Sequence, residues 1–140
     1  MALVKKIPKN TPQNKLTYFA DFETSFDLIN NRDLQLVTNE QDVIQSLHNL
    51  VQTDIGERLY NPTFGCGIRS LLFEPITPQT ESAIRDRIQT AIENFEPRAR
   101  VLEIITEGSP DENSYYVSIT FSVINKQEPI TMDFILARIR

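Results

Sequence analysis

Between Thr77 and Pro97 the sequence specifies both ends of one long helix. Thr77 is a natural N-cap, because its hydroxyl can accept a bond from a free first-turn amide. Pro78 suits the first helical position, where a missing N–H has no intrahelical partner to lose. Ile84, Ile88, Ala91, Ile92 and Phe95 then recur at helical spacing and form one apolar stripe. Glu81 and Arg85 stand one turn apart, acid first, on the side expected to face solvent. Pro97 ends the helix and drives Glu96 out of the α region. Such a helix is a rod of roughly 27 Å, about the width of a small domain, and the rest of the chain is expected to pack around it.

At 140 residues the chain fits one domain, read as 18–140, able to bury about two-thirds of its unfolded surface. No apolar run approaches the roughly 20 residues of a membrane span, and no segment reads as a signal peptide, so no membrane role is expected. The one cysteine, Cys66, excludes an internal disulfide framework and fits folding in a reducing compartment. The one histidine, His48, excludes multi-histidine metal sites, and no metal or cofactor is expected. Charge is unevenly placed. Residues 1–20 carry Lys5, Lys6, Lys9 and Lys15 with no acid, whereas the remainder has a net charge of −9. An acidic body argues against nucleic acid as partner, since phosphate binding needs a basic patch. The lysine-rich segment 1–17, with Pro8 and Pro12, reads as an arm, either solvated or ordered against a neighbouring subunit.

The other elements follow from periodicity and turn chemistry. Strand-like pieces at 22–29 and 34–37 flank Asn30-Asn31-Arg32-Asp33, which suits a hairpin turn. Thr38 and Gln41 match a capping box at the start of a second helix, whose stripe is Val43, Ile44, Leu47, Leu50 and Val51. Gly56 is its expected stop signal, and His48 falls just off the stripe, as a partly buried histidine with a local hydrogen bond. Residues 57–76 combine turn formers, among them Asn61-Pro62 and Gly65-Cys66-Gly67, with many large apolar groups. They read as a buried connector in which Ile68, Leu71, Leu72 and Phe73 form one helical turn. Beyond Pro97 the pattern alternates. Strands are expected at 99–106, around Tyr115–Ile124 and at 130–137, with turns at 108–111 and 125–129. The fold class is therefore α+β: two main helices packed on a small antiparallel β-meander, with an N-terminal arm and hairpin.

Catalytic readings are weakly supported. A glycosidase needs two carboxyl groups about 5–9.5 Å apart, one with a raised pKa. Glu57, Glu74 and Glu96 lie in or beside apolar stretches, but each has an arginine nearby in sequence (Arg58, Arg69, Arg98) that would lower its pKa. Cysteine chemistry would need Cys66, His48 and an orienting group, and a small buried thiol is the commoner outcome. No phosphate loop, dinucleotide fingerprint, nucleophile elbow or zinc spacing is present.

Glu96-Pro97-Arg98 is more informative. In extended chain Glu96 and Arg98 point the same way, giving a rigid pair that can bind a partner's carbonyl or charged groups in a fork geometry. The competing reading is a local helix stop with Arg98 near the carbonyl end.

Over residues 38–139 the sequence resembles the baseplate wedge subunit and sheath initiator family of contractile-tailed phages, to which TssE of the type VI secretion baseplate is related. The resemblance is carried in order by Gly56-Glu57-Arg58, Asn61-Pro62 with Phe64-Gly65-Cys66-Gly67, Leu71-Leu72-Phe73-Glu74-Pro75, and Glu96-Pro97-Arg98. It implies a non-enzymatic α+β subunit of the tail baseplate, present in six copies and assembled in the host cytoplasm. Glu96, Pro97 and Arg98 would dock on the bundle of other wedge proteins, and the β-rich part would template the first ring of sheath protein by strand exchange. An unpaired strand edge fits that role physically, and Ile130–Ala137 or Tyr115–Ile124 is expected to supply it. The lysine arm is a candidate contact for the tail tube or sheath. The alternatives are a peptidoglycan-cleaving, lysozyme-like glycosidase and the equivalent part of a secretion or toxin-delivery machine.

Overall fold

Strict alternation in Tyr115, Val117, Ile119, Phe121 and Val123 gives a strand with one apolar face, and this strand is the centre of the sheet. The structure, a computed structural model, describes residues 17–24, 36–124 and 126–137. Its order is β1 (Ala20–Phe22), β2 (Leu36–Thr38), α1 (Glu40–Gln52), a 3₁₀ turn at Leu71–Phe73, α2 (Pro78–Phe95), β3 (Ala99–Ser109), β4 (Ser114–Val123) and β5 (Lys126–Ala137). β3, β4 and β5 form an antiparallel sheet in that order, and β1 and β2 pair separately, so the α+β expectation holds.

The core lies where α1 and α2 cover one face of the sheet. Val43, Leu47, Leu50 and Val51 of α1 and Ile84, Ile88 and Ile92 of α2 are buried with Ile119 and Phe121 of β4. Each aliphatic side chain so buried contributes about 1.5–3 kcal/mol. Both ends of α2 match the sequence. Thr77 Oγ1 accepts from the Thr80 amide at 3.3 Å, Pro78 is the first helical residue, and the helix ends at Phe95.

Several boundaries differ from expectation. Thr38 belongs to β2, and Asn39, at φ 55°, is the N-cap of α1 without a side-chain cap bond. Its Oδ1 instead accepts from the Tyr18 amide at 2.8 Å, so strand pairing overrides the local capping box. α1 ends at Gln52, four residues before Gly56, and Thr53 Oγ1 bonds the Asn49 carbonyl there. The first hairpin strand is Ala20–Phe22, with Phe22 paired to Leu36; the expected turn at Asn30–Asp33 and the arm lie outside the described residues. The turns of the sheet are tighter than expected, because Gly108 and Ser109 extend β3 and β5 begins at Lys126.

The connector divides in two. Gly65, Cys66, Gly67, Ile68 and Leu71 are buried, whereas residues 57–63 are exposed and Phe73 is half exposed. Gly65 sits at φ 126°, and a Cβ there would lie 2.5 Å from the Thr53 carbonyl oxygen, so only glycine fits. Among the described residues no helix is long and apolar enough to cross a membrane.

The sheet has two edges, β3 and β5. The Ile124 amide donates to the Arg98 carbonyl at 3.1 Å, which sets the phase of the β3–β4 ladder. With that phase the Gly108 amide points away from β4, and it is taken by Glu81 Oε1 of α2 at 2.9 Å. Glu81 thus takes one outward amide near the end of β3 instead of facing solvent beside Arg85, while the amides of Ile104 and Thr106, in the same phase, also point away from β4. On the other side, the same alternation turns the amides of Thr131, Asp133 and Ile135 away from β4. Pro129, in register with them, has no amide to lose. β5 is therefore an open edge, and β4, paired on both sides, is not an edge at all.

Candidate functional site

Pro97 forces the chain out of α2 with Glu96 at φ −128°, ψ 73°, and this turn brings Glu96 and Arg98 together beneath α1. Arg98 Nε donates to Glu96 Oε1 at 2.6 Å and Nη2 to Glu96 Oε2 at 2.7 Å, a bidentate fork. Arg98 Nη1 donates to Asp42 Oδ2 of α1 at 2.9 Å, and the Ser46 hydroxyl donates to Glu96 Oε2. The carboxylates are buried, with side chains 4% exposed for Glu96 and 5% for Asp42, while the Arg98 side chain is 28% exposed. The guanidinium also lies 5.1 Å from the Phe19 ring centroid. The helix stop expected from Pro97 is present, and the Arg98 fork closes on Glu96 and Asp42 of the same chain.

The electrostatics follow from this geometry. Burial pushes the Glu96 carboxyl up, but hydrogen bonds from Arg98 and Ser46 and the guanidinium charge outweigh it and hold the group below its usual value. The Arg98 guanidinium is raised, first by its bond to Glu96 and then, against the opposing effect of burial, by the charges of Glu96 and Asp42. Three of its five N–H groups are used among the described residues. The site is thus a locked ion cluster whose cation stays partly exposed. Asp42 and Ser46, its contributions from α1, carry no motif in the sequence and are placed only by helix packing.

The carboxylates considered for glycosidase chemistry are not brought together as an acid pair. Glu57 is exposed, accepts from the Asp54 amide at 2.9 Å and lies 3.7 Å from Arg69, which is not the sequence neighbour expected. Arg58 instead covers the Phe64 ring at 3.8 Å. Glu74 is exposed beside Tyr115. Glu96, held below its usual value, is the reverse of a general acid. Cys66 is 3% exposed, and burial, with the Asp54 charge, pushes its thiol up to about 12. His48 is exposed, not partly buried. It stacks on Phe134 with centroids 5.5 Å apart and meets Gln52 at 3.2 Å. Among the described residues no cluster of histidine, cysteine or carboxylate side chains could hold a metal ion.

The site and the open edge belong to a chain with clear relatives. The family model described as baseplate wedge protein gp25 matches residues 37–128. Baseplate wedge protein gp25 of Enterobacteria phage T4 is 31% identical over 117 residues, covering 84% of this chain and 87% of that protein. A crystal structure from Geobacter sulfurreducens, described as a tail lysozyme, superposes with a TM-score of 0.67 at 25% identity, over 76% of this chain and 97% of its own. A chain of the anti-feeding prophage baseplate shares the fold with a TM-score of 0.63 at 24% identity, over 86% of this chain and 87% of its own. With the sequence match spanning both helices and most of the sheet, the chain belongs to the baseplate wedge protein gp25 family.

Proposed function

We propose that this protein is a non-enzymatic structural subunit of a contractile tail baseplate, docked on the other wedge subunits and templating the first ring of sheath protein. The observation that carries the reading is the sheet edge at β5, which offers the outward amides of Thr131, Asp133 and Ile135. Such an edge takes an added strand through main-chain hydrogen bonds, the mode that strand exchange with a sheath subunit requires. Glu96, Pro97 and Arg98 form the docking side. Glu96 and Asp42 hold the guanidinium rigid, and its two remaining N–H donors meet carbonyl or carboxylate oxygens of the wedge proteins. Six copies per baseplate, residence in the virion tail and assembly in the host cytoplasm complete the proposal.

The test is sheath polymerisation on reconstituted baseplates. Asp133→Pro removes one outward amide without touching the β4 ladder, so sheath growth should stop while docking persists. Normal growth on that variant would rule out β5 as the template. The Geobacter relative's description supplies the second reading, a cell-wall glycosidase. Clearing of peptidoglycan by the protein, abolished by Glu→Gln at Glu57, Glu74 or Glu96, would favour it; no clearing is expected. The equivalent role in a secretion or toxin-delivery machine keeps the same chemistry with different neighbours.

A further inference from the structure

The Gly56-Glu57-Arg58 and Asn61-Pro62 motifs have no part in the ion cluster or the open edge, yet they build an ordered projection. Its backbone is pinned by Gly56 N–H to the Pro62 carbonyl at 2.8 Å, Asn61 N–H to the Arg58 carbonyl at 3.3 Å, and Phe64 N–H to the Asn61 carbonyl at 3.1 Å. Asp54 and Glu57 side chains brace its base through the Ile55 and Asp54 amides. At the tip Leu59 is 92% exposed and Tyr60 fully exposed. A turn held this firmly presents both side chains at little further ordering cost, and tyrosine is among the residues that most often anchor interfaces.

The projection is also continuous with the ion cluster. Arg58 lies on Phe64, Phe64 packs on Phe95 with centroids 5.2 Å apart, and Phe95 immediately precedes Glu96. Arg58 is exposed, and among the described residues no carboxylate lies within ion-pair distance of it. We infer that Arg58, Leu59 and Tyr60 form a second anchor of the wedge-docking surface, inserting into an apolar socket rimmed by carboxylates on the wedge protein that meets Arg98. This extends the baseplate reading and rests on it.

The experiment is a binding titration of the purified protein against the wedge subunits co-expressed from the same genome, with melting temperatures measured in parallel. The variants are the Leu59→Ser/Tyr60→Ser double substitution, Arg58→Glu and Arg58→Lys. The double variant should melt like wild type and bind at least about tenfold more weakly. Arg58→Glu should also weaken binding, and Arg58→Lys should retain part of it because the charge is kept. A folded double variant that binds as wild type does would overturn the inference. Self-association of wild type, lost in the double variant, would place the socket on a second copy and overturn the assignment to a wedge partner. Failure of wild type itself to bind any wedge subunit would remove the baseplate reading and this anchor with it.

Discussion

Arg98 and Asp42, 56 residues apart in sequence, meet at 2.9 Å, and this bond ties the exit of α2 to the first turn of α1. Because Asp42 is almost fully buried, the guanidinium proposed to meet a partner also supports the fold. Under that proposal docking and stability share one side chain.

Arg98→Ala leaves the Glu96 and Asp42 carboxylates buried without their cation, and breaking such a cluster costs about 3–5 kcal/mol. Chemical denaturation should show that loss. Arg98→Lys retains a charge and should cost less, while still removing the fork geometry a partner would read. A stability for Arg98→Ala within about 0.5 kcal/mol of wild type would contradict the structural part of this role.

The Glu96 carboxyl is held below its unfolded value, so it contributes stability that is fully present above the usual carboxylate range. As pH falls through the unfolded value of about 4.3 and on toward the folded value, that contribution is lost. Thermal melts of wild type should decline across this interval. Glu96→Gln should be less stable at neutral pH and show a flatter decline.

Thr77→Ala removes the acceptor for the Thr80 amide and should cost about 1 kcal/mol. The change is confined to the first turn of α2, so denaturant midpoints should fall while helical content in circular dichroism stays the same.

The Cys66 thiol, pushed up to about 12 and buried, should react with a thiol reagent at pH 8 far more slowly than a free cysteine. Addition of denaturant should release the reactivity. Rapid modification of the native protein would show the Gly65–Gly67 segment to be open.

Glu81→Ala uncovers the Gly108 amide at the edge of β3. Loss of a charge-assisted bond to a partly buried donor should cost about 1.5–3 kcal/mol. It should also add one free outward amide to the β3 edge, visible as faster concentration-dependent aggregation in light scattering.

Features resting on neighbours in the chain were legible from the residues alone. Thr77, Pro78 and Pro97 fix α2 because capping and proline chemistry act over one turn, and the alternation of Tyr115–Val123 fixes the buried face of β4 because side chains alternate along any strand. What depended on distant groups was not legible. Thr38 and Gln41 satisfy the local rule for a cap, yet Asn39 takes that position because pairing of β2 with β1 governs Thr38. Gly56 suits a helix stop, yet α1 ends earlier as the chain turns into the Gly65 contact with Thr53. Only the tertiary structure decided that β5 and not β4 is an edge, because edge status depends on strand order. By the same reasoning the sequence placed Glu96 and Arg98 on one side of the helix exit, and the packing of α1 decided that Asp42 and Ser46 would join them in one cluster.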